Sequence, residues 1–319
     1  MSDPEIFIDF SPFFQVYKDG SINRMVGTEP VAPSPYSEDD VRSKDVVFSQ
    51  EPNLSSRIYL PKHANPARKL PLLVYFHGGA FCMESAFSAT YHNYQKTLFQ
   101  AANVVLVSIE YRLAPEHPLP AAYDDCWTAL KWVASHATGN GPEEWLNSFA
   151  DLEKVFLAGD SAGGNITHNM AMRYGQEKLV GTELKGIALV HSYFWGKDTV
   201  GNESSRDPKE TAMVEKVWRF TNPDTSGMDD PLINPIADPK FSSLGCSRVL
   251  IYVAGNDLFR DRGWLYYEKL SNNGWGGEVE IMESEAEDHC FHLYCDCDNS
   301  KHMLRKLVSF LNDDSLVEK

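Results

Sequence analysis

Gly159-Asp160-Ser161-Ala162-Gly163 follows the apolar run Val155-Phe156-Leu157-Ala158 and precedes a segment of helical character over 165–173. A serine with glycines two residues away on each side, between a strand and a helix, marks a turn so tight that only small neighbours fit. Such a turn lifts the serine Oγ above the end of the sheet. It also leaves the next amide, that of Ala162, free to meet an anionic oxygen. Small residues gather in turns by chance, so the pattern gains meaning only from its company.

Upstream, Leu72-Leu73-Val74-Tyr75-Phe76 runs into His77-Gly78-Gly79-Ala80-Phe81. A strand ending in His-Gly-Gly fits a loop that brings bare backbone close to a substrate oxygen. The N–H groups of Gly78 and Gly79, with that of Ala162, are the expected oxyanion donors. Ala80 stands where a third glycine is common; its methyl narrows the pocket and its N–H survives. His77 precedes the serine and is read as orienting the loop. Downstream, Arg248 to Ala254 forms an apolar, β-branched run that ends in Gly255-Asn256-Asp257, which places Asp257 at the carboxyl end of a strand. A further strand over 278–282 is followed by Glu285-Ala286-Glu287-Asp288-His289. Asp261 and His292 compete for the same roles. Asp261 falls one helical turn on, facing solvent or an arginine, and His292 is expected to begin the last helix. Glu285, Glu287 and Asp288 either make the His289 imidazole more basic or form a solvated acidic loop.

Ser161, Asp257 and His289 occur in the chain order of nucleophile, acid and base in the α/β-hydrolases. The expected class is therefore α/β, an α/β-hydrolase fold with a mainly parallel central sheet flanked by helices and a helical cap. Strands are predicted over 44–49, 56–60, 72–76, 104–109, 155–158, 186–191, 249–253 and 278–282, the first two as antiparallel edge strands. Helices are predicted over 121–136, 165–173, 260–272 and 302–312. The chain is expected to be one domain over 1–319. Cap elements are placed at 1–45, where periodicity is weak, and at 192–235, where a helix over 209–220 interrupts the alternation. Phe81, Met83, Tyr193 and Trp218, with Ala80, are the pocket candidates.

With these motifs in hand, the chain resembles the plant carboxylesterases of the hormone-sensitive-lipase-like branch. That group also holds the 2-hydroxyisoflavanone dehydratases, the tuliposide-converting enzymes and the gibberellin receptors. The likeness rests on segments along nearly the whole chain: Phe14 to Gly20, Val74 to Phe81, Tyr111 to Asp125, Gly159 to Ile166 and Asp288 to Leu293. The resemblance implies Ser161 as nucleophile, His289 as general base and acid, Asp257 as its orienter, and Gly78, Gly79 and Ala162 as oxyanion donors. The Tyr111-to-Asp125 block reads as structural, its prolines and Arg112 bracing the serine turn from below. The dehydratases tend to carry threonine where this chain has Ser161, and the receptors have lost the histidine that this chain keeps. The implied activity is serine carboxylester hydrolysis of small, moderately apolar esters, without metal or cofactor. A dehydratase-like lyase or cyclase of plant specialised metabolism is the alternative, and a small-molecule receptor a more distant one.

Of the 319 residues, 29 are Lys or Arg and 45 Asp or Glu, for a net charge of −16. Such a balance opposes binding to nucleic acid or to anionic membranes. The acidic start Met1-Ser2-Asp3-Pro4-Glu5 carries no secretory pattern and no apolar run approaches a membrane span, so a cytoplasmic enzyme with a small-molecule partner is expected. The six cysteines are then expected to be free thiols. Cys295-Asp296-Cys297 lacks the second pair that a zinc site needs.

Overall fold

The computed structural model describes residues 5–34 and 41–312. Three short strands come first, β1 (Ile6–Phe10), β2 (Phe14–Tyr17) and β3 (Ile22–Arg24), paired antiparallel in a small sheet of their own. The main sheet contains β4 (Val41–Gln50), β5 (Asn53–Pro61), β6 (Leu70–Phe76), β7 (Val105–Glu110), β8 (Ala150–Asp160), β9 (Leu184–Val190), β10 (Arg248–Ala254) and β11 (Glu278–Ser284). Its helices are α1 (Ala89–Ala102), α2 (Ala121–Ala134), α3 (Glu144–Phe149), α4 (Ala162–Gln176), α5 (Pro208–Thr221), α6 (Arg260–Asn272) and α7 (Asp298–Leu311).

Across the main sheet the order is β4-β5-β7-β6-β8-β9-β10-β11. The β4–β5 and β5–β7 pairs are antiparallel, and every pair from β7 to β11 is parallel. This is the expected mainly parallel sheet with an antiparallel edge. Strand β6 shows why it forms. Leu72, Val74 and Phe76 pack with residues of α2 and α4 on one face, while Leu73 and Tyr75 pack with residues of α1 and α7 on the other. A strand covered on both faces must be apolar throughout, and this one is. The carboxyl ends of β6, β8, β10 and β11 open on one side, which brings four distant loops together.

One expectation changes, and two features were not anticipated. The 1–45 stretch forms β1–β3 because alternating residues (Ile8, Phe14, Val16) are buried beside Cys82 and Val217; strands this short leave little periodicity to read. Residues 1–4 and 35–40 of that stretch lie outside the described residues. The last helix begins at Asp298, with the Cys297 amide bonded to Ser300 Oγ at 3.1 Å, so His292 falls instead in a separate 3₁₀ turn, Phe291–Leu293. Helix α1 was not anticipated, although Ser88 caps it and Tyr91, Gln95, Leu98, Phe99 and Ala102 give it a buried face at helical spacing. Among the described residues, no helix is long and apolar enough to cross a membrane.

Segment 196–206 is held to α6 by a buried ion pair. Arg262 meets Glu203 at 2.5 Å and 2.8 Å, donates to the Asp198 carbonyl at 2.7 Å, and stacks over Trp195. Both side chains are about 95 % buried. Arg262→Leu leaves the Glu203 carboxylate buried without a counter-charge and is expected to cost about 3–5 kcal/mol. Urea unfolding reads it as a lower midpoint; an unchanged midpoint contradicts it.

Candidate active site

Ser161 ends β8 and opens α4 with φ 52° and ψ −117°, a conformation sparsely populated by L-residues. The turn is possible because its flanks are bare. A Cβ at Gly159 would overlap the Gly163 carbonyl, and one at Gly163 the Phe76 carbonyl. The Ser161 amide bonds to the Val190 carbonyl at 2.9 Å and anchors the turn to β9.

The structure brings the three candidate side chains into line. Ser161 Oγ donates to His289 Nε2 at 3.0 Å, and His289 Nδ1 donates to Asp257 Oδ2 at 2.8 Å. Asp257 accepts the Phe259 amide on its other oxygen at 3.0 Å and is 3 % exposed. Burial disfavours ionisation of both members of the pair, but each stabilises the other's charge more strongly. The Asp257 carboxyl is therefore held below its ordinary value and the His289 imidazole above its own. Asp261, the competitor, pairs with Arg260 at 2.6 Å and accepts the Asn202 amide. His292, the other competitor, packs edge-on against Tyr94 at 5.0 Å.

Several supports were not foreseen. Arg206 donates to the carbonyls of Asn256 and Asp257, both at 2.9 Å, bracing the acid's loop. The Cys290 amide donates to His191 Nδ1 at 3.0 Å, which fixes the turn just after His289. His191 follows directly on β9, beside the serine's strand, and that position was the available signal. Glu287, weighed as a neighbour of the imidazole, turns away and accepts from Asn299 at 2.7 Å. His191, His289 and Cys290 lie close enough to suggest a metal site. His289 is not free to join it, because its two nitrogens are bonded to Asp257 and Ser161, and His191 Nδ1 accepts an amide. This donor set does not fit a metal.

The oxyanion expectation needs one correction. The Gly78 N–H donates to Tyr91 Oη at 2.6 Å and is therefore already engaged. The next two residues, Gly79 (φ 105°) and Ala80 (φ 52°), continue the turn, and their amides find no acceptor among the described residues. The amide of Ala162, first residue of α4, has no carbonyl within its own helix to meet. His77 orients the loop as read: it is buried, stacks on Tyr111 at 4.2 Å, and its carbonyl accepts from Tyr111 Oη at 2.7 Å. The Tyr111-to-Asp125 block is structural, with Arg112 bonded to Asp125 and Tyr123 Oη bonded to Asn165 Oδ1 in α4 at 2.8 Å.

A cavity of about 580 Å³ opens over Ser161 and His289. Ala80, Met83 and Tyr193 line it, as expected, together with Phe10 and Phe13 from the small sheet and Met213 from α5. Phe81 and Trp218 do not. They are 1 % and 0 % exposed and pack against each other behind the wall at 6.2 Å. Large aromatic side chains near the loop were read as lining; tertiary packing turned these two inward.

The sequence model of the alpha/beta hydrolase fold matches residues 73–293, more than half of the chain. The chain belongs to the alpha/beta hydrolase fold family. Within that family it is 49 % identical to a probable carboxylesterase 7 of Arabidopsis thaliana, over 97 % of this chain and 99 % of the other. It is 46 % identical to a 2-hydroxyisoflavanone dehydratase of Glycyrrhiza echinata, over 96 % of each. A solved structure of a hyperthermophilic esterase from Pyrobaculum calidifontis shares this hydrolase fold at TM-score 0.72, 24 % identical, covering 86 % of this chain and 87 % of that one.

Proposed function

We propose that this chain is a serine carboxylesterase that hydrolyses small, moderately apolar carboxylic esters through an acyl-enzyme. The observation that carries the reading is the Ser161–His289–Asp257 chain of bonds, at 3.0 Å and 2.8 Å, beneath one cavity. Ser161 Oγ attacks the ester carbonyl as His289 Nε2 takes its proton, and Asp257 steadies the imidazolium. The oxyanion is received by the amides of Gly79, Ala80 and Ala162, each worth about 10²–10³ in rate in comparable sites. His289 returns the proton to the departing alcohol, and water then releases the acid by the reverse path. The side chains suffice for this chemistry without metal or cofactor. A cavity of about 580 Å³ with Phe10, Phe13, Met83 and Met213 on its walls suits a small apolar acyl or alcohol group. Segments 5–24 and 192–235 act as its cap. A plant specialised metabolite is the proposed ester and the cytoplasm the proposed compartment, where six unpaired cysteines are at home.

Stopped-flow hydrolysis of p-nitrophenyl acetate and butyrate tests the reading. A burst of p-nitrophenol equal to the enzyme concentration, followed by slower turnover, is expected. Because His289 acts as a neutral base and its pKa is raised, kcat/KM falls as pH drops through a midpoint above about 6.5. A profile flat from pH 5 to 9 argues against His289 as the base. The dehydratase relative supports a second reading, in which His289 removes a carbon-bound proton and the same amides hold an enolate. Elimination product without any acyl-enzyme would select it.

A further inference from the structure

Asp160 directly precedes the candidate nucleophile, Cys290 directly follows the candidate base, and Gly78 directly precedes Gly79 and Ala80. These three segments meet at one carboxyl group that is 1 % exposed. Tyr91 Oη accepts the Gly78 N–H at 2.6 Å and donates to Asp160 Oδ2 at 2.7 Å. Cys290 Sγ lies 3.6 Å from the same oxygen. The other oxygen, Oδ1, accepts from Tyr75 Oη at 2.7 Å, a contact that reaches no catalytic loop. The packing around Gly78 is tight enough that a Cβ there would overlap Asp160 Oδ2 and stand 2.9 Å from Tyr91 Oη.

We propose that Tyr91 and Asp160 form a positioning relay that sets the direction of the oxyanion amides. The inference rests on the esterase reading above. Planar peptides leave only φ and ψ between one amide and the next, and in this turn those angles are held by close packing at Gly78 and by the Gly79 carbonyl, which accepts the Cys82 and Met83 amides at 2.9 Å and 3.0 Å. Holding the Gly78 N–H against Tyr91 Oη therefore presents the following amides, of Gly79 and Ala80, to the cavity. Tyr91 can fill this role because its hydroxyl both accepts and donates. Asp160 supplies the acceptor that fixes the hydroxyl's orientation. The same carboxyl draws in the Cys290 thiol, so the oxyanion loop and the His289 loop are referenced to the residue beside Ser161. Neither Tyr91 nor Asp160 acts on the reacting atoms; both act through Gly78 and Cys290.

The test compares Tyr91→Phe with Tyr75→Phe. Each variant loses one hydroxyl from Asp160, but only Tyr91 reaches Gly78. With p-nitrophenyl butyrate, Tyr91→Phe is expected to lower kcat about 10- to 100-fold, with KM within about twofold, the cost of a small displacement in the donors. Tyr75→Phe is expected to keep kcat within about threefold of wild type, while both variants are expected to melt earlier. Asp160→Asn combined with Tyr91→Phe should lose little more than the worse single change, because the two lie on one path. Equal kcat losses in the two tyrosine variants, or a kcat in Tyr91→Phe within threefold of wild type, overturn the relay. Wild-type protein that hydrolyses no ester overturns the esterase reading instead, which keeps the two failures apart. Should Tyr91→Phe not fold, amide hydrogen exchange in the wild type decides. A protected Gly78 beside rapidly exchanging Gly79 and Ala80 supports the relay, and a Gly78 that exchanges as fast as they do overturns it.

Discussion

Ser161→Ala is expected to lower kcat on p-nitrophenyl butyrate by at least about 10⁴-fold, the range seen when a triad nucleophile is removed. Only the Oγ is lost, so the amides of Gly79, Ala80 and Ala162 and the cavity remain. What residual activity there is comes from those donors and from binding. Stability should change by less than about 1 kcal/mol, because Ser161 is 8 % exposed, alanine fills nearly the same space, and both residues bear the same strain at φ 52°. A fluorophosphonate ester should label Ser161 in the wild type and leave the variant unlabelled. A folded variant that keeps more than a hundredth of wild-type kcat would sink the covalent mechanism.

Asp257→Asn comes next, with an expected loss of about 10⁴ in kcat and little change in fold. The carboxylate accepts the His289 Nδ1 proton at 2.8 Å and the Phe259 amide at 3.0 Å. An asparagine can keep the second bond with its carbonyl oxygen, but its NH₂ then faces Nδ1 as a donor. The imidazole must move its proton to Nε2, where it meets Ser161 Oγ as another donor and cannot accept. The charge that offsets the burial of His289 also disappears, so the imidazole pKa falls. Steady-state kinetics and a ¹⁵N-labelled histidine spectrum would show both effects. A variant within tenfold of wild type would assign the orienting role elsewhere.

Most of the site was legible because its residues sit where chain geometry leaves little choice. A serine between Gly159 and Gly163 at a strand–helix junction has one way to turn, and Asp257 at the end of an apolar strand has one edge to occupy. The competitors Asp261 and His292 were separable for the same reason. Less was legible in the loop after β6, where the amides without an acceptor among the described residues are those of Gly79 and Ala80. Gly78 looks equivalent to Gly79 along the chain, and only Tyr91, thirteen residues away on an unanticipated helix, engages its N–H. Phe81 and Trp218 show the same limit: an aromatic residue near a loop packs inward or lines a cavity according to what fills the space behind it.

The pattern of apolar runs, glycines and the Ser, Asp, His order determined by itself the sheet-and-helix class, the serine turn and the three candidate catalytic residues. These depend on contacts local in the chain and on the single carboxyl edge at which parallel strands end. Tertiary structure alone decided which loop amides find an acceptor, which aromatics line the cavity, that Phe10 and Phe13 reach it, and that one buried carboxyl ties three loops together. Those outcomes depend on side chains from distant elements competing for the same space and the same hydrogen bonds, a competition that is settled only when the chain is folded.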